Sequence, residues 1–280
     1  MGPNRSLPRP VRRGFPLREA VVLGLVHGPA ELLPVSSSAH ITLIAWLLDF
    51  SYAELALECR KDFEVALHAG TAAALLIGAR SGLGRAAWSG DRRAASVLGL
   101  ALGPPALAGL ALESGIERLG TPRRIAGGLL VGSLALALGD RLGSSQRPAS
   151  DARLLDGLAL GLAQAAALVP GISRSGATLA VCRARGFGRP AAEALSRDCG
   201  LPVILGASAL RAARLWPGQP RHRETESRLA AGAAAAFVST VAARGILERR
   251  ERPVSLLRTA LYRTGVAGVV LVRLARRGSA

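Results

Sequence analysis

Two short stretches of this chain carry side chains for which an apolar sequence has no ordinary use. The first, HGPAELLPVSSSAH from His27 to His40, sets two imidazoles, a carboxylate and three consecutive hydroxyls inside a hydrophobic run. The second, PGISRSG from Pro170 to Gly176, sets an arginine between two serines in another such run. An ionised Glu31 at membrane depth is costly, so it should face a cavity, a cation or an arginine. Ser36, Ser37 and Ser38 offer hydroxyls and backbone amides where a second helix begins, and helix N-termini take phosphate oxygens readily. The same logic applies to Ser173, Ser175 and Gly176, with Arg174 between them able to grip a phosphate through two parallel bonds. One carboxylate, one histidine, hydroxyls and an arginine make a phosphoryl-transfer set. The plainer readings are serines that only bridge helices, an Arg174 that snorkels to headgroups and a His40 satisfied by packing. The same pattern in two separate breaks favours chemistry.

The elements that must position these residues are membrane elements. The chain has 280 residues, 50% of them hydrophobic and 20% charged, and its mean hydropathy of +0.31 is that of a multi-span protein. The net charge of +17 sits in short clusters between apolar runs, and aromatics are only 4%. Nucleic-acid binding by base stacking is therefore excluded as a reading, and anionic lipid headgroups are the partner for the arginines. Cys59, Cys182 and Cys199 show no ligand spacing and are odd in number, so neither a disulfide framework nor a zinc site is expected. The arginines from Arg5 to Arg18 precede AVVLGLV in the order of a signal peptide. No small-residue cleavage site follows, so the segment reads as retained.

Six segments are expected to cross a bilayer: Phe63 to Ala79, Ala94 to Leu112, Ile125 to Gly139, Leu201 to Leu215, Leu229 to Ile246 and Val254 to Leu274. Loops such as Arg80 to Arg93, Arg141 to Arg153 and Trp216 to Arg228 separate them, and Pro104 with Pro105 should kink the second. Two further segments are too long and interrupted for one straight helix. Glu19 to Leu48 is broken by Pro29, Pro34 and the serine run, and Leu154 to Val181 by PGISRSG. Each is expected to form a re-entrant helix-loop-helix hairpin, since irregular backbone at that depth survives only against protein or a water-filled cavity. The two segments also resemble each other, LGL at Leu23 to Leu25 matching LGL at Leu160 to Leu162, His27 facing Gln164 and Pro34 facing Pro170 after one gap. Two halves, about 1–150 and 151–280, follow. Three crossings per half is odd, so the halves should form an inverted repeat whose hairpins meet near the midplane. The expected fold is thus an all-α membrane protein with about six transmembrane helices and two re-entrant hairpins in one integral-membrane domain.

PVSSS with His40, and PGISRSGAT from Pro170 to Thr178, resemble the two signature motifs of the integral-membrane undecaprenyl-diphosphate phosphatases of the bacitracin-resistance type. FEVALHAGT at Phe63 to Thr71, LPVILGASAL at Leu201 to Leu210 and LYR at Leu261 to Arg263 extend the resemblance. It implies hydrolysis of a polyprenyl diphosphate lipid to the monophosphate carrier of cell-wall synthesis, in a bacterial plasma membrane, assisted by a divalent cation such as magnesium or calcium. By the same resemblance Glu31 matches a glutamate given to metal or general-base work, Ser37 a nucleophile or phosphate contact, His40 the motif histidine and Arg174 the phosphate-binding arginine. The residues leave Ser37 and His40 open as nucleophile. The sequence departs from the family pattern at His27, where an acid or amide is usual, at His68, where a glutamine is usual, and at Ala39, usually glycine. If His27 is a metal ligand, its nitrogen suits magnesium or calcium poorly and a transition metal better. The acid-phosphatase type is excluded, because the histidine expected five residues after the serine-arginine pair is Ala180. The rival is a polyprenyl-phosphate transporter or flippase, or a silent relative that only binds the lipid, since broken helices in inverted repeats also build transporters.

Overall fold

The computed structural model describes residues 14–77, 90–117, 119–143, 145–215, 223–249 and 254–278. Among them are ten α-helices and no strand: α1 (Leu17–Leu32), α2 (Ser37–Leu47), α3 (Leu57–Ile77), α4 (Arg92–Glu117), α5 (Pro122–Leu142), α6 (Leu154–Ala166), α7 (Arg174–Ala184), α8 (Arg189–Leu215), α9 (Arg223–Glu248) and α10 (Leu256–Gly278). Each expected crossing lies on one helix, namely α3, α4, α5, α8, α9 and α10. The end of the first crossing beyond Ile77, the loop from 80 to 89, the start of the Trp216 to Arg228 loop and the first arginines of the chain lie outside the described residues. Three of the helices, α4, α5 and α9, are long and apolar enough on their own to cross a membrane. They carry outward leucines and valines, among them Leu107, Leu134 and Val238, at exposures near 60–70%. Such a girdle suits lipid and would be an aggregation surface in water.

Both interrupted segments fold as helix, loop, helix. The first break falls later than Pro29 suggests. Proline removes only its own N–H bond, and α1 runs through Pro29 to Leu32. The stop comes from Pro34, which pushes the preceding residue out of the helical region; Leu33 is extended at ψ 152°. Likewise α4 continues through Pro104 and Pro105. The Ala101 carbonyl, which has lost the N–H of Pro105 as partner, accepts instead from Gln164 Nε2 of α6 at 2.9 Å.

Packing crosses between the two halves of the chain. The first helix of each broken segment lies against the long apolar helix of the other half, α1 on α9 and α6 on α4. Small residues allow the backbones to approach. Gly24 and Gly28 of α1 lie against the α9 backbone at Gly232 and Thr240, and Gly157 and Gly161 of α6 against the carbonyls of Val97 and Leu100. Helix α9 also packs on α3, and α5 lies between α7 and α10. Apolar cores lie on either side, one around Phe63, Tyr52 and Leu23 and another around Phe187, Leu136 and Leu195.

Candidate active site

Each break brings a helix N-terminus to the same region. In the first, Ser36 precedes α2 at φ 78°, a left-handed conformation that a serine adopts only under strain. In the second, Gly171 at φ 97° makes the turn, and Ser173 caps α7 by accepting from the Gly176 N–H at 3.2 Å. The breaks touch directly, Ser175 Oγ donating to the Leu33 carbonyl at 3.4 Å. They are also fastened by one side chain. Arg263 of α10, with no exposed surface, donates to the Pro34 carbonyl at 3.3 Å and to the Gly171 carbonyl at 2.9 Å. Gly132 and Gly176 leave it room, since a methyl at either would strike its guanidinium.

Glu31, on the last turn of α1, is where the halves meet chemically. Its Oε1 accepts from Arg174 at 2.8 Å and its Oε2 accepts from Ser37 Oγ at 2.5 Å. The carboxylate that should have faced a cavity, a cation or an arginine thus faces an arginine. Gly200 of α8 provides the space in which the Arg174 guanidinium lies. His68 Nε2 stands 3.8 Å from Glu31 Oε2, and its Nδ1 lies 2.7 Å from the Glu64 carbonyl. A carbonyl only accepts, so Nδ1 carries the proton and Nε2 presents its lone pair. His27, fully buried on α1, meets His68 edge to face at 4.5 Å between ring centres, with Nδ1 3.0 Å from Thr71 Oγ1.

A cavity of about 730 Å³ opens from these groups. Glu31, the Ser36 to Ser38 run, His68 and the Ser173 to Ser175 run line its polar end. Residues of α4 and α8, including Leu102, Pro105, Leu110 and Val203, line the rest, so a polar head and an apolar chain have separate places in it. Lys61 and Gln164 also face the cavity.

Most of the residues singled out in the sequence therefore converge, and three do not reach the cavity. Gly176 gives its N–H to Ser173 rather than to open space. His40 is engaged outside the cavity: its Nδ1 donates to the Ser36 carbonyl at 2.8 Å and its Nε2 accepts from the Tyr262 hydroxyl at 2.8 Å, the two rings stacked at 12°. His27 lies behind Glu31. Thr71, Gly200, Tyr262 and Arg263 went unread in the sequence as parts of the site. Thr71, Tyr262 and Arg263 nevertheless lie in FEVALHAGT and LYR, stretches that carry the resemblance.

His27, Glu31 and His68 each offer a ligand atom within 4.8 Å of the others. Two imidazoles and one carboxylate are a donor set that accepts a divalent ion, and one richer in nitrogen than magnesium or calcium ordinarily take. His27 Nε2 is buried with no hydrogen-bond partner, as an atom kept for a ligand would be.

The chain matches the family described as Bacitracin resistance protein BacA over residues 20–269. Among curated relatives, an undecaprenyl-diphosphatase of Geobacter sulfurreducens is 34% identical over 281 residues, covering 93% of this chain and 99% of the relative. One of Moorella thermoacetica is 35% identical, covering 90% and 96%. One of Desulforudis audaxviator is 38% identical over 213 residues, covering 71% and 77%.

Proposed function

The chain belongs to the bacitracin resistance protein BacA family, and from that premise we propose that it is an undecaprenyl-diphosphatase, hydrolysing undecaprenyl diphosphate to the monophosphate and phosphate. The observation that carries the reading is the Arg174–Glu31–Ser37 chain at the polar end of a cavity whose remainder is apolar. In this reading Arg174 leaves Glu31 to hold the terminal phosphate by two parallel bonds. Ser37 Oγ attacks the phosphorus as its proton passes to Glu31 Oε2, and the bridging oxygen leaves with the lipid monophosphate. Water then cleaves the phosphoserine, its hydroxyl going to the phosphorus and its other proton to the serine oxygen, and Glu31 gives the proton it took from Ser37 to solvent. The close Ser37–Glu31 bond favours Ser37 over His40 as nucleophile, because both nitrogens of His40 are engaged elsewhere. Ser36, Ser38, Ser173 and Ser175 supply hydroxyls to phosphate oxygens, and Gly176 keeps the Ser173 cap. A divalent cation at Glu31 and His27 would supply charge neutralisation of the diphosphate.

The same reading places the chain as a multi-pass protein of the bacterial inner membrane, with six crossings and two re-entrant hairpins in an inverted repeat. The cross-packing of α1 on α9 and α6 on α4 supports it, since swapping the halves maps one pair onto the other. The test is phosphate release from a polyprenyl diphosphate by the purified protein across a panel of divalent cations. Release that disappears in Glu31→Gln and Arg174→Ala is expected. Lipid binding or transbilayer movement with no release would overturn the enzyme in favour of a carrier.

A further inference from the structure

We propose that His27, His68 and Glu31 form a two-histidine, one-carboxylate site for a first-row divalent transition-metal ion, in preference to magnesium or calcium. The inference rests on the phosphatase reading only for what the metal would do; the site itself stands on its geometry.

The three ligand atoms lie within 4.8 Å of one another. One ion about 2.1 Å from each ligand needs them within roughly 4.2 Å, so binding draws the ligand atoms together by no more than about 0.6 Å. Both rings are already oriented as ligands usually are, with the second nitrogen tied to an oxygen. His68 donates Nδ1–H to the Glu64 carbonyl, which fixes its tautomer and leaves Nε2 on the Glu31 side. His27 is held at Nδ1 by Thr71, whose hydroxyl is in turn 3.2 Å from Thr240 on α9. With Nδ1–H donated to Thr71, the Nε2 lone pair is bare, and this nitrogen has no partner in a fully buried position. A polar atom so placed is rare unless a ligand uses it.

Glu31 can take part although Arg174 and Ser37 already bind it. Its two oxygens offer about four lone pairs, of which these donors use two. The donor set then decides the metal. Magnesium and calcium prefer oxygen ligands, whereas two imidazoles with a carboxylate are the set of zinc, manganese and iron(II) sites that keep positions open for a substrate. His68 and Glu31 line the cavity and His27 closes it from behind, so the open positions face the polar end.

The test is metal binding by the full-length protein in detergent after chelator treatment. One Co²⁺ per chain by elemental analysis is expected, with the visible absorption of nitrogen ligation, and Mn²⁺ or Zn²⁺ should bind at least 100-fold more tightly than Mg²⁺ or Ca²⁺. Mn²⁺ bound to the unaltered protein should show magnetic coupling to ¹⁴N, a readout that needs no variant. His27→Gln and His68→Gln should each weaken binding at least tenfold, and His27→Glu should move preference back towards Mg²⁺ and Ca²⁺. A bound ion with no ¹⁴N coupling, equal affinity for the two metal classes, or no bound ion at all would overturn the proposal. Metal binding as described without phosphate release would sink the phosphatase and spare the site. Release supported by magnesium and indifferent to His27→Gln would do the reverse.

Discussion

The two broken hairpins share a frame and divide the chemistry. In each, the third residue of the first helix is a buried acid that ties down chain beyond the hairpin. Glu19 accepts from the amides of Ser51 and Tyr52 at 3.2 and 3.0 Å. Asp156 accepts from the Arg153 amide at 2.8 Å and pairs with Arg147 at 2.5 Å and with Arg185. Each first helix then carries a polar side chain with one atom lacking a partner, His27 Nε2 or Gln164 Oε1. Each break contains a proline and one residue at positive φ and ends on a serine that precedes the next helix. Beyond that they differ. Between Gln164 and Pro170 the second hairpin has only apolar residues, where the first has Glu31; the first has no arginine to answer Arg174. The carboxylate and the guanidinium come from opposite hairpins and meet at 2.8 Å. What the hairpins have in common holds the site, and what separates them is the site.

The strongest way to break that division is to remove one side of the pair. Glu31→Gln and Arg174→Ala should each lower phosphate release by about 10²–10³-fold, the scale for one charged group acting on a transition state. Because the two act as a unit, the double variant should be little worse than the poorer single one. Losses that multiply would mean that the hairpins contribute separately.

The next effect falls on both hairpins at once. Arg263→Met leaves the Pro34 and Gly171 carbonyls without their donor, and bonds from a charged donor contribute about 1.5–3 kcal/mol each. Thermal unfolding in detergent should drop by several degrees, with amide hydrogen exchange rising at both breaks together. Arg263→Lys should recover part of the stability, since a single ammonium cannot span both carbonyls as the planar fork does. Exchange that rises at one break alone would show that the hairpins are held independently.

This division also explains how much the sequence disclosed. The breaks, the helices around them and the main polar residues were legible because polar groups in an apolar run need local cause, and Pro34 and PGISRSG supply it. Helices α4, α5 and α9 were legible as candidate spans by length and apolarity, while α8 and α10 carry charges whose partners lie far along the chain, Arg189 on Asp140 and Arg273 on Asp49. Contacts between distant segments leave little local trace. The Tyr262 hydroxyl on His40, the room that Gly200 gives Arg174 and the reach of Arg263 across two loops depend on packing that no spacing rule encodes. His40 is the instructive case: its place in the motif suggests chemistry at Ser37, and its two hydrogen bonds turn it towards α10 instead.

A smaller effect separates the two turns. At Gly171, φ 97° and the nearby Ile125 carbonyl leave no space for a methyl, so Gly171→Ala should cost about 1–3 kcal/mol in thermal unfolding.

At Ser36 the direction reverses. Its φ of 78° is already occupied by a side chain, so Ser36→Gly should stabilise the protein by up to about 1 kcal/mol through relief of strain, partly offset by a looser unfolded chain. The same change removes a hydroxyl from the polar end of the cavity, so phosphate release should fall as stability rises. The second turn has glycine in the left-handed place and keeps its hydroxyls on Ser173, at negative φ, and on Ser175 of α7. Only the first turn needs a side chain where glycine would fit better. A Ser36→Gly protein that is more stable and equally active would show the strain to be incidental. One that is more stable and slower would show it to be retained for the hydroxyl it presents.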